Sequence, residues 1–269
     1  MSEEAVIYEK VGRTAVITLN RPKRKNALDA AIAQAMAAVL LAVRQDASVR
    51  SVVLTGAGGD FCSGADLKGD VAEGEKPFMA RQLLLDTHRW FTELVELEKP
   101  VISAVDGFAV GAGFSLALGA DFVLASERAR FIASFARVGL LPDLSLLYVL
   151  PRLVGLARAK EIAFSAREIG ADEAQQMGLV QAVVPAERLR NAALAFARRF
   201  DDAPTAVIGL TKNLLNRSFE TDRHGLAQLE STMQGLFAVS NYHAEAVARF
   251  VSREAPLFAG APRFDPAAP

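Results

Sequence analysis

Val101-Ile102-Ser103-Ala104-Val105-Asp106-Gly107-Phe108-Ala109-Val110-Gly111-Ala112-Gly113 is the segment on which the fold turns. Val101–Val105 reads as a short apolar strand, Asp106-Gly107 as a turn, and the remainder as a glycine-rich run. A strand apolar on both faces belongs inside a sheet covered by helices on either side. Val52–Leu54 before it, and Phe122–Ala125 and Val180–Val184 after it, have the same character. Between them lie helical patterns. Ile32, Met36, Val39, Leu40 and Val43 recur at helical spacing behind Asp29 as N-cap, and a long amphipathic helix runs from Pro77 until Pro100 stops it. This alternation predicts an α/β fold with largely parallel pairing. Val6–Tyr8 and Ala15–Leu19 form an expected hairpin around Gly12. After Pro185 the pattern is helical almost to Leu257, with breaks at Pro204 and near Gly225. The expected organisation is an α/β core over residues 1–200 and a helical region over residues 201–269.

The bulk chemistry narrows the function. At 269 residues and 51% apolar content the chain can bury a sizeable core. A formal net charge of −1 gives no overall field for nucleic acid or an anionic membrane, and neither is expected as a partner. One cysteine, Cys62, and three scattered histidines, His88, His224 and His243, supply neither a disulfide framework nor metal-ligand spacing. The acidic Met1-Ser2-Glu3-Glu4 leads into no apolar signal core. The apolar run Phe108–Ala120 is too short and glycine-rich to span a bilayer. A reducing cytoplasm is the expected location.

Two glycine-containing loops follow strands: Phe61-Cys62-Ser63-Gly64-Ala65-Asp66-Leu67, and Gly107 to Gly113. If each opens a helix, each presents unbonded backbone N–H groups at a positive dipole end. Two such ends facing one another would cradle a developing oxyanion. The same glycines also suit plain strand–helix packing, and neither loop continues into the Gly-Lys-Ser/Thr of a phosphate-binding loop.

In order and spacing, these pieces resemble the enoyl-CoA hydratase/isomerase (crotonase) family over most of the chain. The resemblance is carried by Asn20-Arg21-Pro22 with Lys25-Asn26-Ala27-Leu28, by Phe61 to Leu67, and by Lys99-Pro100-Val101-Ile102 running into Gly107 and Gly111-Ala112-Gly113. It continues through Asp121, Gly139-Leu140-Leu141-Pro142, and Ala174 to Gly178-Leu179-Val180. It implies a spiral of ββα units, a helical trimerising C-terminal region, and trimers or dimers of trimers. It also implies that the N–H groups of Ala65 and Ala112 hold a thioester oxygen. Coenzyme A would enter as part of an acyl-CoA substrate, not as a separate cofactor. It would lie across Arg24, Lys25, Ala27 and Leu28, and across Ser63, Ala65, Asp66 and Leu67, with Gly111 among the binding residues. Arg24 and Lys25 carry charge suited to the nucleotide phosphates.

The hydratases of the family carry two glutamates, and their positions fall on Ser115 and Phe135 here. Neither side chain can act as a carboxylate base or acid near neutral pH. Asp143 remains, at the place where several family isomerases resemble this chain in carrying their acid/base aspartate. Leu140, Leu141, Leu144 and Phe135 are expected to desolvate it. Its position also suits an N-cap of the helix Leu144–Leu153. The leading expectation is isomerisation of an unsaturated or ring-strained acyl-CoA. Alternatives are a weak hydratase, a dehalogenase-like aryl-CoA enzyme using His88 beside Asp143, and a non-catalytic acyl-CoA-binding protein. His88 is otherwise expected to be packed or solvated, and Cys62 to be a small buried hydrophobe.

Overall fold

The computed structural model describes residues 4–67, 76–261 and 264–266. Val6–Val11 (β1) and Thr14–Leu19 (β2) pair antiparallel as a hairpin. After helix Ala30–Gln45 (α1), Ser51–Gly56 (β3) pairs in parallel with β2. After helix Lys76–Val95 (α2), Val101–Val105 (β4) adds in parallel to β3. The short strand Phe108–Val110 (β5) and helix Ala112–Leu118 (α3) lead to Phe122–Ser126 (β6), parallel to β4. Arg130–Ile132 (β7) leaves that sheet to pair with β5. Helices Leu146–Val154 (α4) and Leu156–Ser165 (α5) follow, and then Glu168–Gly170 (β8) pairs antiparallel with β7. Helix Ala171–Gln176 (α6) precedes Ala182–Val184 (β9), which completes a six-stranded sheet of order β1-β2-β3-β4-β6-β9. The chain ends in helices Leu189–Arg198 (α7), Thr205–Arg217 (α8), Arg223–Ala238 (α9) and Asn241–Ser252 (α10).

Both faces of the large sheet are covered, which is why its inner strands read as unbroken apolar runs. Ile17, Leu54 and Val105 point into one core with Ile32, Met36, Phe91 and Phe114. Their neighbours Val16, Val53, Ile102 and Leu124 point into a second, against Leu189, Ala193 and Phe196 of α7.

Several expectations need adjusting. The hairpin strands extend to Val11 and back to Thr14, because backbone pairing continues past the apolar residues. Helix α2 ends at Val95, ahead of Pro100. The three-residue strands β5, β7 and β8 have no periodicity long enough to be read. A further break separates α9 from α10, where the Ser240 hydroxyl accepts from the His243 amide. Leu226, Met233 and Phe237 of α9, all half-buried, line a hollow of about 540 Å³ against α8. Among the described residues no helix is long and apolar enough to cross a membrane.

One buried side chain fixes the approach to the first glycine loop. Asn26, fully buried, accepts from the Arg21 amide (2.9 Å) and donates to the carbonyls of Ala57 (2.9 Å) and Asp60 (2.7 Å). Its backbone is left-handed (φ 56°), a region that asparagine tolerates better than most residues. Asn26→Ala should therefore lower unfolding stability by about 3 kcal/mol, from stranded polar partners and a disfavoured backbone together. Denaturant titration measures this, and a loss below about 0.5 kcal/mol, the size of an ordinary surface change, would show that the loop does not depend on Asn26.

Candidate active site

The two glycine loops are laced together through their backbones. The Cys62 amide donates to Phe108 O and the Val110 amide to Cys62 O, both at 2.9 Å, so the first loop runs beside β5 as a parallel bridge. On its other side the Leu28 amide donates to Gly64 O (2.8 Å) and the Asp66 amide to Leu28 O (2.9 Å). Cys62 is completely buried, and burial pushes its thiol up to about 12, which leaves it a spacer. A Cβ at Gly113 would lie 2.2 Å from Cys62 O, so only glycine permits this approach. Gly64 has φ 95°, and a Cβ there would stand 2.7 Å from Val110 O and 3.5 Å from the Ala112 nitrogen. The amide of Ala65 follows Gly64 directly, so the chain brings it close to the amide of Ala112. Among the described residues neither donates a backbone hydrogen bond. Ala112 opens α3, so its N–H is one of the groups a helix start leaves unbonded. Ala65–Leu67 are not helical and are held by a bridge to Leu28; the residues that would continue a helix from the first loop lie outside the described ones.

The strip expected to carry coenzyme A is also heavily self-bonded. Arg21 donates to Asp66 (2.9 Å) and Ala27 O (2.6 Å) and pairs with Asp29 (3.1 Å). The Ser63 amide donates to Lys25 O (2.9 Å) and its hydroxyl to Arg24 O (3.2 Å). With the amides of Ala27, Leu28 and Asp66 committed, a nucleotide laid here meets mainly side chains and carbonyl lone pairs. Arg24 is exposed. Lys25 lies 3.4 Å from Asp60 and 4.3 Å from the centre of the Phe108 ring. Leu67 is exposed.

Asp143 lies between the turn Ser134–Val138 and α4. It is not the N-cap of α4. That position belongs to Ser145, and no side chain bonds the helix start. Leu144 (φ 43°) and Ser145 (φ 62°) are both left-handed, which carries Asp143 off the helix axis while its carbonyl still accepts from the Leu146 amide (3.0 Å). The carboxylate Oδ1 is buried and, among the described residues, has no hydrogen-bond partner. Burial raises the carboxyl above its ordinary value, opposed in part by the charge of His88 on α2. His88, expected to be a bystander, thus stands within electrostatic reach of Asp143. Leu144 and Phe135 are buried as expected, but Leu140 (55% exposed) and Leu141 (82%) face outward and cannot desolvate the carboxyl. Ser115, one turn along α3 from Ala112, donates its buried hydroxyl to Asp143 O at 2.9 Å.

Residues 9–261 match the family model described as enoyl-CoA hydratase/isomerase. The chain is 36% identical over 248 residues to the 1,2-epoxyphenylacetyl-CoA isomerase of Escherichia coli K12, covering 91% of this chain and 94% of that protein. It is 37% identical over 250 residues to the short-chain-enoyl-CoA hydratase of Clostridium acetobutylicum, covering 92% and 95%. The crystal structure of an enoyl-CoA hydratase/isomerase from Cupriavidus metallidurans CH34 superposes with a TM-score of 0.88 at 37% identity, covering 98% of this chain and 100% of that one. Matched along nearly its whole length in sequence and in fold, the chain belongs to the enoyl-CoA hydratase/isomerase family and has the crotonase-type α/β fold.

Proposed function

We propose that the protein isomerises an unsaturated or ring-strained acyl-CoA thioester through an enolate, with Asp143 as its one mobile base. The observation that carries this reading is the Asp143 carboxyl: half-buried, raised in pKa, without a capping duty, and tied through Ser115 to the helix that Ala112 opens. For a double-bond shift, the carboxylate takes an α-proton, and the C–H electron pair moves into the thioester to form an enolate. The amides of Ala65 and Ala112 hold the enolate oxygen. The Asp143 O–H then returns the proton at the γ-carbon, restoring the thioester and the free carboxylate. Hydration would need a positioned water and a separate proton donor, and Ser115 and Phe135 offer neither carboxylate. Most of the similar relatives carry hydratase names and one an isomerase name, so the support for isomerisation comes from these side chains and not from the relatives. A second reading draws on His88: a carboxylate beside this histidine could attack a halogenated aryl-CoA ring and displace halide, and halide release from such a thioester would reveal it.

The wild type should shift the double bond of a 3-enoyl-CoA, or open a related ring substrate, faster than it hydrates crotonyl-CoA. Asp143→Asn should reduce that isomerisation by about 10²–10⁴-fold with acyl-CoA binding largely kept. Hydratase turnover untouched by the substitution would overturn the proposal, and a fall of less than about tenfold would leave Asp143 without a proton-transfer role. The acid limb of kcat/KM should lie above the ordinary carboxylate range, activity falling as pH drops through the raised pKa.

Stability should respond with the opposite sign. A carboxyl that holds its proton more tightly when folded favours the native state below the unfolded value of about 3.9 and loses that favour as pH rises through the folded value. Asp143→Asn should therefore raise the Tm near neutral pH, with the gain vanishing in acid. A lowered Tm at pH 7 would mean that the carboxylate is satisfied by charge or hydrogen bonds.

The C-terminal helices support a closed oligomer, a trimer or dimer of trimers. No residue of α9 or α10 is buried, and Phe219, Leu236, Val239, Phe250 and Val251 are exposed. Such a surface needs a partner. Sedimentation at micromolar concentration should give a single closed assembly; a stable monomer would remove this part of the proposal.

A further inference from the structure

We infer that Ser115 is a positioning residue for Asp143: its hydroxyl holds the left-handed turn that keeps the Asp143 carboxyl off the start of α4. The inference rests on Asp143 being the base proposed above, and it assigns the hydroxyl that stands where a hydratase would carry a carboxylate.

Three observations carry it. Ser115 is 1% exposed, and its Oγ lies 2.9 Å from Asp143 O, with Gly111 O at 3.4 Å as an alternative acceptor. A buried hydroxyl that reaches across to another element restrains that element; one satisfied only by its own helix would not. Second, Leu144 and Ser145 are consecutive non-glycine residues at positive φ, a combination that persists only where surrounding contacts impose it. Besides the α4 amides that donate to the carbonyls of Asp143 and Ser145, the turn is held by the Ser115 hydrogen bond on one side and the burial of the Leu144 side chain on the other. Third, α4 begins with no side-chain cap although Asp143 and Ser145 both stand at its threshold. Relaxing the turn to ordinary φ values would let the carboxylate bond the first amides of α4, where the helix dipole favours the ionised form. Ser115 opposes that relaxation.

The direction of this hydrogen bond matters. Position 115 must donate, because the atom it meets is a carbonyl oxygen. A carboxylate there would set oxygen against oxygen and push the Asp143 turn away. An ionised glutamate at 115 and the present placement of Asp143 are therefore alternatives.

The test uses the full-length enzyme and the isomerisation substrate found for the wild type. Ser115→Ala should lower kcat about tenfold with KM within about twofold, since the base is misplaced and the acyl-CoA strip is untouched. It should also move the acid limb of the pH profile downward, because a carboxylate that reaches the α4 amides is stabilised in its charged form; His88 is the neighbouring charge already acting on it. Ser115→Thr, which keeps a donor, should retain the wild-type acid limb. Adding Ser145→Gly to Ser115→Ala should recover part of kcat, because glycine adopts the left-handed turn without being held there. If Ser115→Ala does not accumulate folded, Ser115→Cys, similar in size but a weak donor, takes its place. Wild-type kcat and acid limb in the alanine or cysteine variant, alongside an inactive Asp143→Asn, would overturn this inference and leave the proposed base standing. Full activity in Asp143→Asn would instead remove the base itself.

Discussion

Backbone hydrogen bonds that use both polar groups of Cys62 are the constraint on which the site depends. They press the first loop against β5 so closely that Gly113 must lack a side chain, and the same approach brings Gly64 beside the Ala112 amide. Neither of the two donors proposed for an oxyanion is created by a functional side chain. Each is a by-product of where the chain runs: one N–H left over at a helix start, the other at a loop residue whose neighbours are already paired to Leu28. Fixed dipoles of this kind need no reorganisation when charge develops between them.

That dependence explains how much could be read from the chain alone. Residues that act through backbone leave a trace in glycine, and Gly64, Gly111 and Gly113 mark both loops by type and spacing. The central strands were equally legible, since burial on both faces leaves only apolar choices at Val52–Leu54 and Val101–Val105. Legibility fails where long-range position matters more than residue type. Nothing local to His88 says that α2 carries it within electrostatic reach of Asp143, fifty-five positions later in the sequence. The solvent-facing Leu140 and Leu141 have the composition of a pocket wall, yet the turn beginning at Gly139 (φ 70°) directs them outward. Ser115 reads as a missing acid, because a sequence does not reveal that its hydroxyl has a distant carbonyl to meet.

The helix start at α4 shows a local preference overridden by tertiary structure. Asp143 after Pro142 is a favourable capping arrangement, as Asp29 demonstrates at α1, where its carboxylate accepts from the Ile32 amide at 2.9 Å. At α4 the chain forgoes the cap, places two residues in a disfavoured region and leaves a carboxylate oxygen buried with no hydrogen-bond partner among the described residues. Each departure is destabilising, and all three fall within one turn of the same carboxyl. Strain and unsatisfied polarity collected at one titratable group are what a reactive site requires, since a carboxylate well solvated or well capped is a weak base.

Replacing two carboxylate positions by a hydroxyl and a phenyl ring also alters the field in which an enolate would form. Carboxylates near the cradle would repel the developing oxyanion as well as each other, and their proton affinities would be coupled. Here a buried neutral hydroxyl stands at 115 and the Phe135 ring packs beside Gly111, so neither position adds a negative charge next to α3. In the proposed reaction, Asp143 would become neutral as the enolate becomes charged. The total charge is conserved and only shifts toward the Ala65 and Ala112 amides and the N-terminus of α3. A single base whose charge disappears as the oxyanion appears therefore works with the cradle's dipoles, and the raised proton affinity that burial gives Asp143 contributes to the driving force for that transfer.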